Sequence, residues 1–266
     1  MGLLAQTSAQ EGARRVALSH LDQVANAARH LHDSEAVDAL HDFRVGLRRF
    51  RSCLRAYEAI IGSNVGKKTR ERLKRIAAAT NPGRDAEVQL DWVVSVGDHE
   101  HEKHKHGVQW LAGRLREEKD VAYALVRDEL CTELDKIEAK LRTNLSTYVV
   151  RHRVGEPSDE PRFGDRTADV LAAQMRALHE QLREIRGAHD ERLAHRARIH
   201  GKRLRYLLEP FRDEVEGTKD VVKRLKALQD LLGDLNDLHN LSATVGLALE
   251  ESSVARSQRL RELATQ

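Results

Sequence analysis

His41-Asp42-Phe43-Arg44-Val45-Gly46-Leu47-Arg48-Arg49-Phe50-Arg51 decides how this chain is read. Its pattern returns far downstream as His195-Arg196-Ala197-Arg198-Ile199-His200-Gly201-Lys202-Arg203-Leu204-Arg205. At about 100° per residue, His41, Arg44, Arg48, Arg51 and Arg55 fall on one helical stripe roughly 80° wide. Phe43, Leu47, Phe50, Leu54 and Tyr57 form the apolar face beside it. In the second copy His195, Arg198, Lys202 and Arg205 make the basic stripe, next to Leu204, Leu208 and Phe211. Arg49 and Arg203 point away from the stripes. No Asp or Glu interrupts residues 43–57 or 192–208. Arginines on a solvated helix usually alternate with Glu at i,i+4. Unrelieved like charges repel, so these stripes call for an anion to neutralise them.

The repeat extends past the stripes. Leu73-Lys74 answers to Leu225-Lys226, and Arg84-Asp85 to Asn236-Asp237. His195 follows His41 by 154 positions, while Lys226 follows Lys74, and Asp237 follows Asp85, by 152. An offset held so closely over three landmarks points to an internal duplication. Lys74 and Lys226 on the partner helices therefore join the candidate set. Asp85 and Asp237 are expected near helix starts, where Asp satisfies free N–H groups, or as orienters of nearby arginines.

At these residues the sequence resembles the CHAD domain, the conserved histidine α-helical domain. The matching segments are residues 41–51, Gly83 to Val88, His195 to Tyr206, then Lys223, Lys226 and Leu228 to Asp237. The resemblance covers roughly residues 10–250. It implies an all-α fold of two pseudo-symmetric helical bundles around a basic central channel, with inorganic polyphosphate as the partner. Proteins similar to CHAD domains associate with intracellular polyphosphate granules, and the resemblance carries that expectation here. One departure is plain: the family has Leu-Gly shortly before its first Arg-Asp, where this chain has Thr80-Asn81. Asn tolerates a left-handed backbone, so the turn is expected to survive.

Charged residues are 33% of the chain and prolines only 4, a composition suited to long amphipathic helices. The net charge is only +3, so the basic character is local. Cys53 and Cys131 have no metal-ligand spacing and read as free thiols of a reducing, cytoplasmic compartment. The start, Met1 to Ala5, lacks the features of a signal peptide, and no run approaches the roughly 18 apolar residues of a membrane span.

Periodicity predicts helices over about 8–32, 35–61, 67–79, 84–97, 106–147, 167–186, 189–214, 218–232 and 234–250, with a last piece to about 264. Gly155, Pro157, Pro161 and Gly164 mark residues 151–166 as a linker between a first bundle at 1–150 and a second at 167–266. Together the halves read as one domain.

Three motifs of catalysis fail on spacing. Gly62 to Lys67 has three residues between its glycines where a P-loop needs four, and Lys68 stands where Ser or Thr belongs. His99, His101, His104 and His106 contain no His-Glu-x-x-His and read as an exposed segment. No carboxylate cluster or Ser–His–Asp arrangement is evident. The expectation is a non-enzymatic protein with no metal and no cofactor. Its candidate polyphosphate contacts are His41, Arg44, Arg48, Arg51, Arg55, Lys74, His195, Arg198, Lys202, Arg205, Lys223 and Lys226. Nucleic acid is the alternative partner. Base stacking needs aromatics, and the stripes carry none on the basic side apart from Tyr206.

Overall fold

A computed structural model of the chain describes residues 4–31, 39–97, 105–126, 131–147, 161–187 and 189–264. All regular structure among them is helical, with one isolated bridge between Ser8 and Arg162. Helix α1 (Ala9–His30) opens on Ser8, whose hydroxyl accepts the Glu11 backbone N–H at 3.3 Å. Ser-x-x-Glu is the sequence signature of such a start. Helix α2 (Ala39–Ala56) is the first basic helix, and Phe43, Leu47, Phe50 and Leu54 bury its apolar face as the periodicity requires. It lies on α1 with little space between them: a Cβ at Gly46 would stand 3.3 Å from Val24.

A single turn, α3 (Glu58–Ile61), follows, separated from α2 at Tyr57. Helix α4 (Lys67–Ala79) buries Leu73 and Ile76. Helix α5 (Asn81–Gly97) packs on α6 (Lys105–Leu125), and α7 (Cys131–Ser146) packs on α1 and α4. Helix α8 (Phe163–Glu184) packs on α9 (Glu191–Leu208), the second basic helix, and α9 packs on α10 (Thr218–Ala264).

The halves share their cores. The main cluster joins α1, α2, α4 and α7 to Phe163, Leu207 and Phe211 from the second half. A second cluster joins Leu90 and Val93 of α5 and Leu115 of α6 to Leu241 of α10. The third is built by α8, α9 and α10 around Leu178, Ala197, Leu204 and Leu232.

Four sequence expectations change. The linker placed at 151–166 ends sooner, because Phe163 starts α8 and is fully buried in the main core. Residues 148–160 lie outside the described residues. The apolar face of α9 shifts: Leu204 and Phe211 are buried, whereas Leu208 is only half-buried and Leu207 takes its place in the main core. No left-handed residue stands at the Thr80-Asn81 junction; Thr80 is αR, and α5 starts directly at Asn81 with Pro82 in its first turn. There the missing proline N–H costs no hydrogen bond. Finally, α10 runs unbroken where helices over 218–232 and 234–250 and a last piece to about 264 were expected. By the repeat offset, Pro82 corresponds to Asp234. Proline interrupts a helix because its ring clashes with the preceding turn. Asp does not, and the single Gly233 costs only about 1 kcal/mol relative to Ala.

Candidate functional site

Helices α2 and α9 pack against each other, and their basic stripes meet at the contact. Lys202 of α9 sits at the centre. Burial holds its ammonium down to about 7, helped by the charges of Arg198, Arg48 and Arg205 and opposed only by Asp237. Arg48 thus reaches Lys202 from the other half. The Nε atoms of Arg48 and Arg198 are buried with no hydrogen-bond partner among the described residues. The Arg205 Nε of the α9 stripe is a third, and a buried donor left without a hydrogen bond costs about 1–3 kcal/mol.

Around this centre the α2 stripe lines a cavity of about 280 Å³ against α4, walled by Arg44, Arg48, Arg51 and Lys74. Arg44 is held in place by Thr80: it donates to the Thr80 carbonyl, and to the Thr80 hydroxyl at 2.7 Å. Burial and Arg48 lower its guanidinium to about 10, against the pull of Asp85. Arg51 is lowered by burial and by Arg55. His41 stands at the same end of α2, where burial and then Arg84 and Arg48 disfavour its charged form. Lys74 is exposed, with only a long 3.8 Å pair to Glu71 to compete for it.

The α9 side is less uniform. His195 is exposed and its Nδ1 meets the Asn236 Oδ1 at 3.2 Å. Arg205 is already partnered, with its Nε 3.4 Å from Glu209, which corrects the expectation of a wholly acid-free stripe. The acid lies one residue beyond the acid-free window, close enough for an i,i+4 pair. Lys223 and Lys226 are exposed on α10, and no described interaction ties either to the α9 stripe.

Asp85 and Asp237 are not caps. Asp85 lies one turn into α5, and Asp237 lies mid-way along α10. The two carboxylates come close enough to interact. Crowding by protein and then Asp237 raise the Asp85 carboxyl above the usual range, while Arg44, Arg198 and Arg84 pull it down. Asp85, Asp237, Arg44, Arg198 and Arg84 therefore come together at one place.

Residues that the sequence left out of the candidate set also lie near these stripes. Arg203 is close enough to Arg55 for its guanidinium to be lowered by it, after burial. Arg49 does point off the stripe, but into a 2.7 Å pair with Glu209 that ties α2 to the end of α9. Tyr206 is buried beneath Arg49 and Arg205, at 5.8 and 5.1 Å from its ring centroid, so its face is not free to stack on a base. Of the histidine tract, His99, His101 and His104 lie outside the described residues, and His106 is exposed. No three His, Cys, Asp or Glu side chains converge among the described residues. No described helix is long and apolar enough to cross a membrane.

Comparison with known proteins places this arrangement. The profile of the CHAD domain family matches residues 15–245. The crystal structure of the CHAD domain from the plant Ricinus communis superposes with a TM-score of 0.67 at 21% identity, over 100% of this chain and 90% of that chain. PptA from Streptomyces chartreusis superposes with a TM-score of 0.71 at 14% identity, over 91% of this chain and 87% of that chain. At such identities the two structures speak for the fold. No curated protein matches the chain.

Proposed function

The chain belongs to the CHAD domain family, and from that premise we propose that its facing basic helices bind inorganic polyphosphate without turning it over. The observation that carries this reading is Lys202 crowded by Arg48 from α2 and by Arg198 and Arg205 from its own helix. A folded protein keeps such repulsion when a ligand relieves it. Guanidinium forks match phosphate oxygens, and ammonium groups add point charge. The rise from Arg44 to Arg55 is roughly 16 Å of helix, enough to follow several consecutive phosphates. A linear chain needs no base recognition, which suits a cleft whose one aromatic, Tyr206, is buried. The same contacts would hold the protein on polyphosphate granules.

A titration at matched phosphate concentration tests the partner. Polyphosphate is expected to bind far more tightly than double-stranded DNA or RNA, and affinity should fall steeply with salt as bound cations displace counterions. Equal affinity for DNA, or a flat salt profile, would move the reading to nucleic acid or away from the stripes. In the same samples, with Mg²⁺ or Mn²⁺ present, no phosphate should be released. Release that a point mutation abolishes would make the protein an enzyme.

Binding should also take up a proton. Free Lys202 is about half charged near pH 7, and a polyanion beside it restores the charge. Affinity should therefore decline as pH rises from 7 towards the ordinary lysine value near 10.5. The free protein should behave oppositely. Its folded-state value lies below the unfolded one, so the unfolded chain binds more protons across that window and stability rises with pH. Lys202→Arg, permanently charged, should flatten both profiles. Calorimetry in buffers of different ionisation enthalpy measures the uptake, and an unchanged profile in Lys202→Arg would place the titration elsewhere.

A further inference from the structure

On the other side of Arg49 lies a cavity of about 440 Å³. Such a volume falls within the roughly 300–1,000 Å³ of small-molecule sites. Its walls come from the turn at Leu4, α1, α2, the segment joining α9 to α10, and the start of α10. Leu4, Val16, Pro210 and Val222 supply apolar surface. The same lining carries three guanidinium groups, Arg15, Arg49 and Arg212, against the single carboxylate of Glu209. His20 also lines the cavity. It is only 6% exposed; Gln23, another lining residue, hydrogen-bonds the ring, while the Nδ1 atom is buried with no hydrogen-bond partner among the described residues. Polar groups buried this deeply are nearly always paired, so each exception asks for an explanation.

We propose that this cavity binds a small phosphate monoester carrying a compact apolar body. The apolar surface receives the body, and the guanidinium groups and the His20 ring meet the phosphate. Three cations lining one cavity exceed what a monocarboxylate needs and match the oxygens of a phosphate dianion. The existing pairs do not close the site. Arg15 and Glu11, at 2.7 Å, are both open to solvent, as are Arg212 and Asp213 at 3.3 Å. Exposed pairs of this kind are worth about 0–1 kcal/mol, so exchanging them for a ligand costs little. Glu209 has a second partner in Arg205, which can hold it when Arg49 turns to the ligand. A bare phosphate would leave the apolar surface uncovered, and a neutral apolar molecule would leave the cations unmet.

Phenyl phosphate is the probe, with inorganic phosphate and phenol as its two halves. Titrated into the full chain without polyphosphate, it should bind about tenfold tighter than either half. It should also shift the His20 ring signals in nitrogen–proton NMR spectra. Arg212→Ala and Arg15→Ala change exposed side chains and should leave the circular dichroism spectrum intact, while each weakens phenyl phosphate by roughly three- to tenfold. Binding no tighter than that of inorganic phosphate would overturn the proposal. So would binding that is unchanged in both arginine variants, or that leaves the His20 signals in place and is lost in Arg48→Glu, which would locate the probe in the α2–α9 cleft. Polyphosphate takes no part in the measurement, so its outcome is separate from that of the function proposed above.

Discussion

Arg48→Glu is expected to weaken polyphosphate binding by about 100-fold or more, and Lys202→Glu by a comparable factor. Each change removes a cation and installs an anion where α2 and α9 meet, so the charge at that point moves by two. A hundredfold corresponds to about 2.7 kcal/mol. A unit pair near a protein surface interacts by up to about 4 kcal/mol at 4 Å, so the figure lies within reach after screening. Neither change should unfold the protein. Arg48 disfavours the charged forms of Arg44 and Lys202, so a carboxylate in its place relieves repulsion in the free state. Thermal stability should hold or rise while affinity collapses. Loss of both together would mean misfolding, and unchanged affinity in both variants would remove the cleft as the site. If only one half responds, the site is a one-sided patch. Arg49→Glu separates the two effects from the other direction. It would face two carboxylates across the present 2.7 Å pair with Glu209, and should lower stability more than it disturbs the cleft.

Phe163→Ala is expected to destabilise the protein by about 3–5 kcal/mol, the usual cost of emptying a fully buried aromatic site. The ring has no exposed area and lies 5.4 Å from the Phe211 ring and 5.0 Å from Tyr57, centroid to centroid. It sits so close to α1 that Gly12 has no room for a Cβ beside it. Beside it the Tyr57 and Thr167 hydroxyls are hydrogen-bonded at 2.9 Å. These contacts bind the start of α8 into the core of the first half, so denaturant unfolding should remain a single transition with a lower midpoint. A loss below about 1 kcal/mol, or separate transitions for the two halves, would show that Phe163 is not the joint described here.

Much of this was legible in the sequence because helix periodicity is local. Phe43, Leu47, Phe50 and Leu54 recur every three or four residues, and all four are buried. The cations interleaved with them were thereby forced onto the adjoining face, and Arg44, Arg48 and Arg51 line one cavity. The second copy was less legible. Ala194, Ala197 and Gly201 bury that face of α9 through small residues whose hydropathy signal is weak. Phe163 hid in a segment rich in Gly and Pro, where turn residues outweighed a lone aromatic.

Local spacing alone therefore determined most of the helices and their apolar and basic faces, since each depends on neighbours within two turns. It could not say which faces meet. Glu209 pairs with Arg49 across 160 positions, and Tyr57 with Thr167 across 110. Burial lowers the Lys202 ammonium first, and then the charges of Arg198 on its own helix and of Arg48 on α2. Burial and Coulomb repulsion act through space, so only the packing of α9 on α2 turned two basic stripes into one crowded cleft.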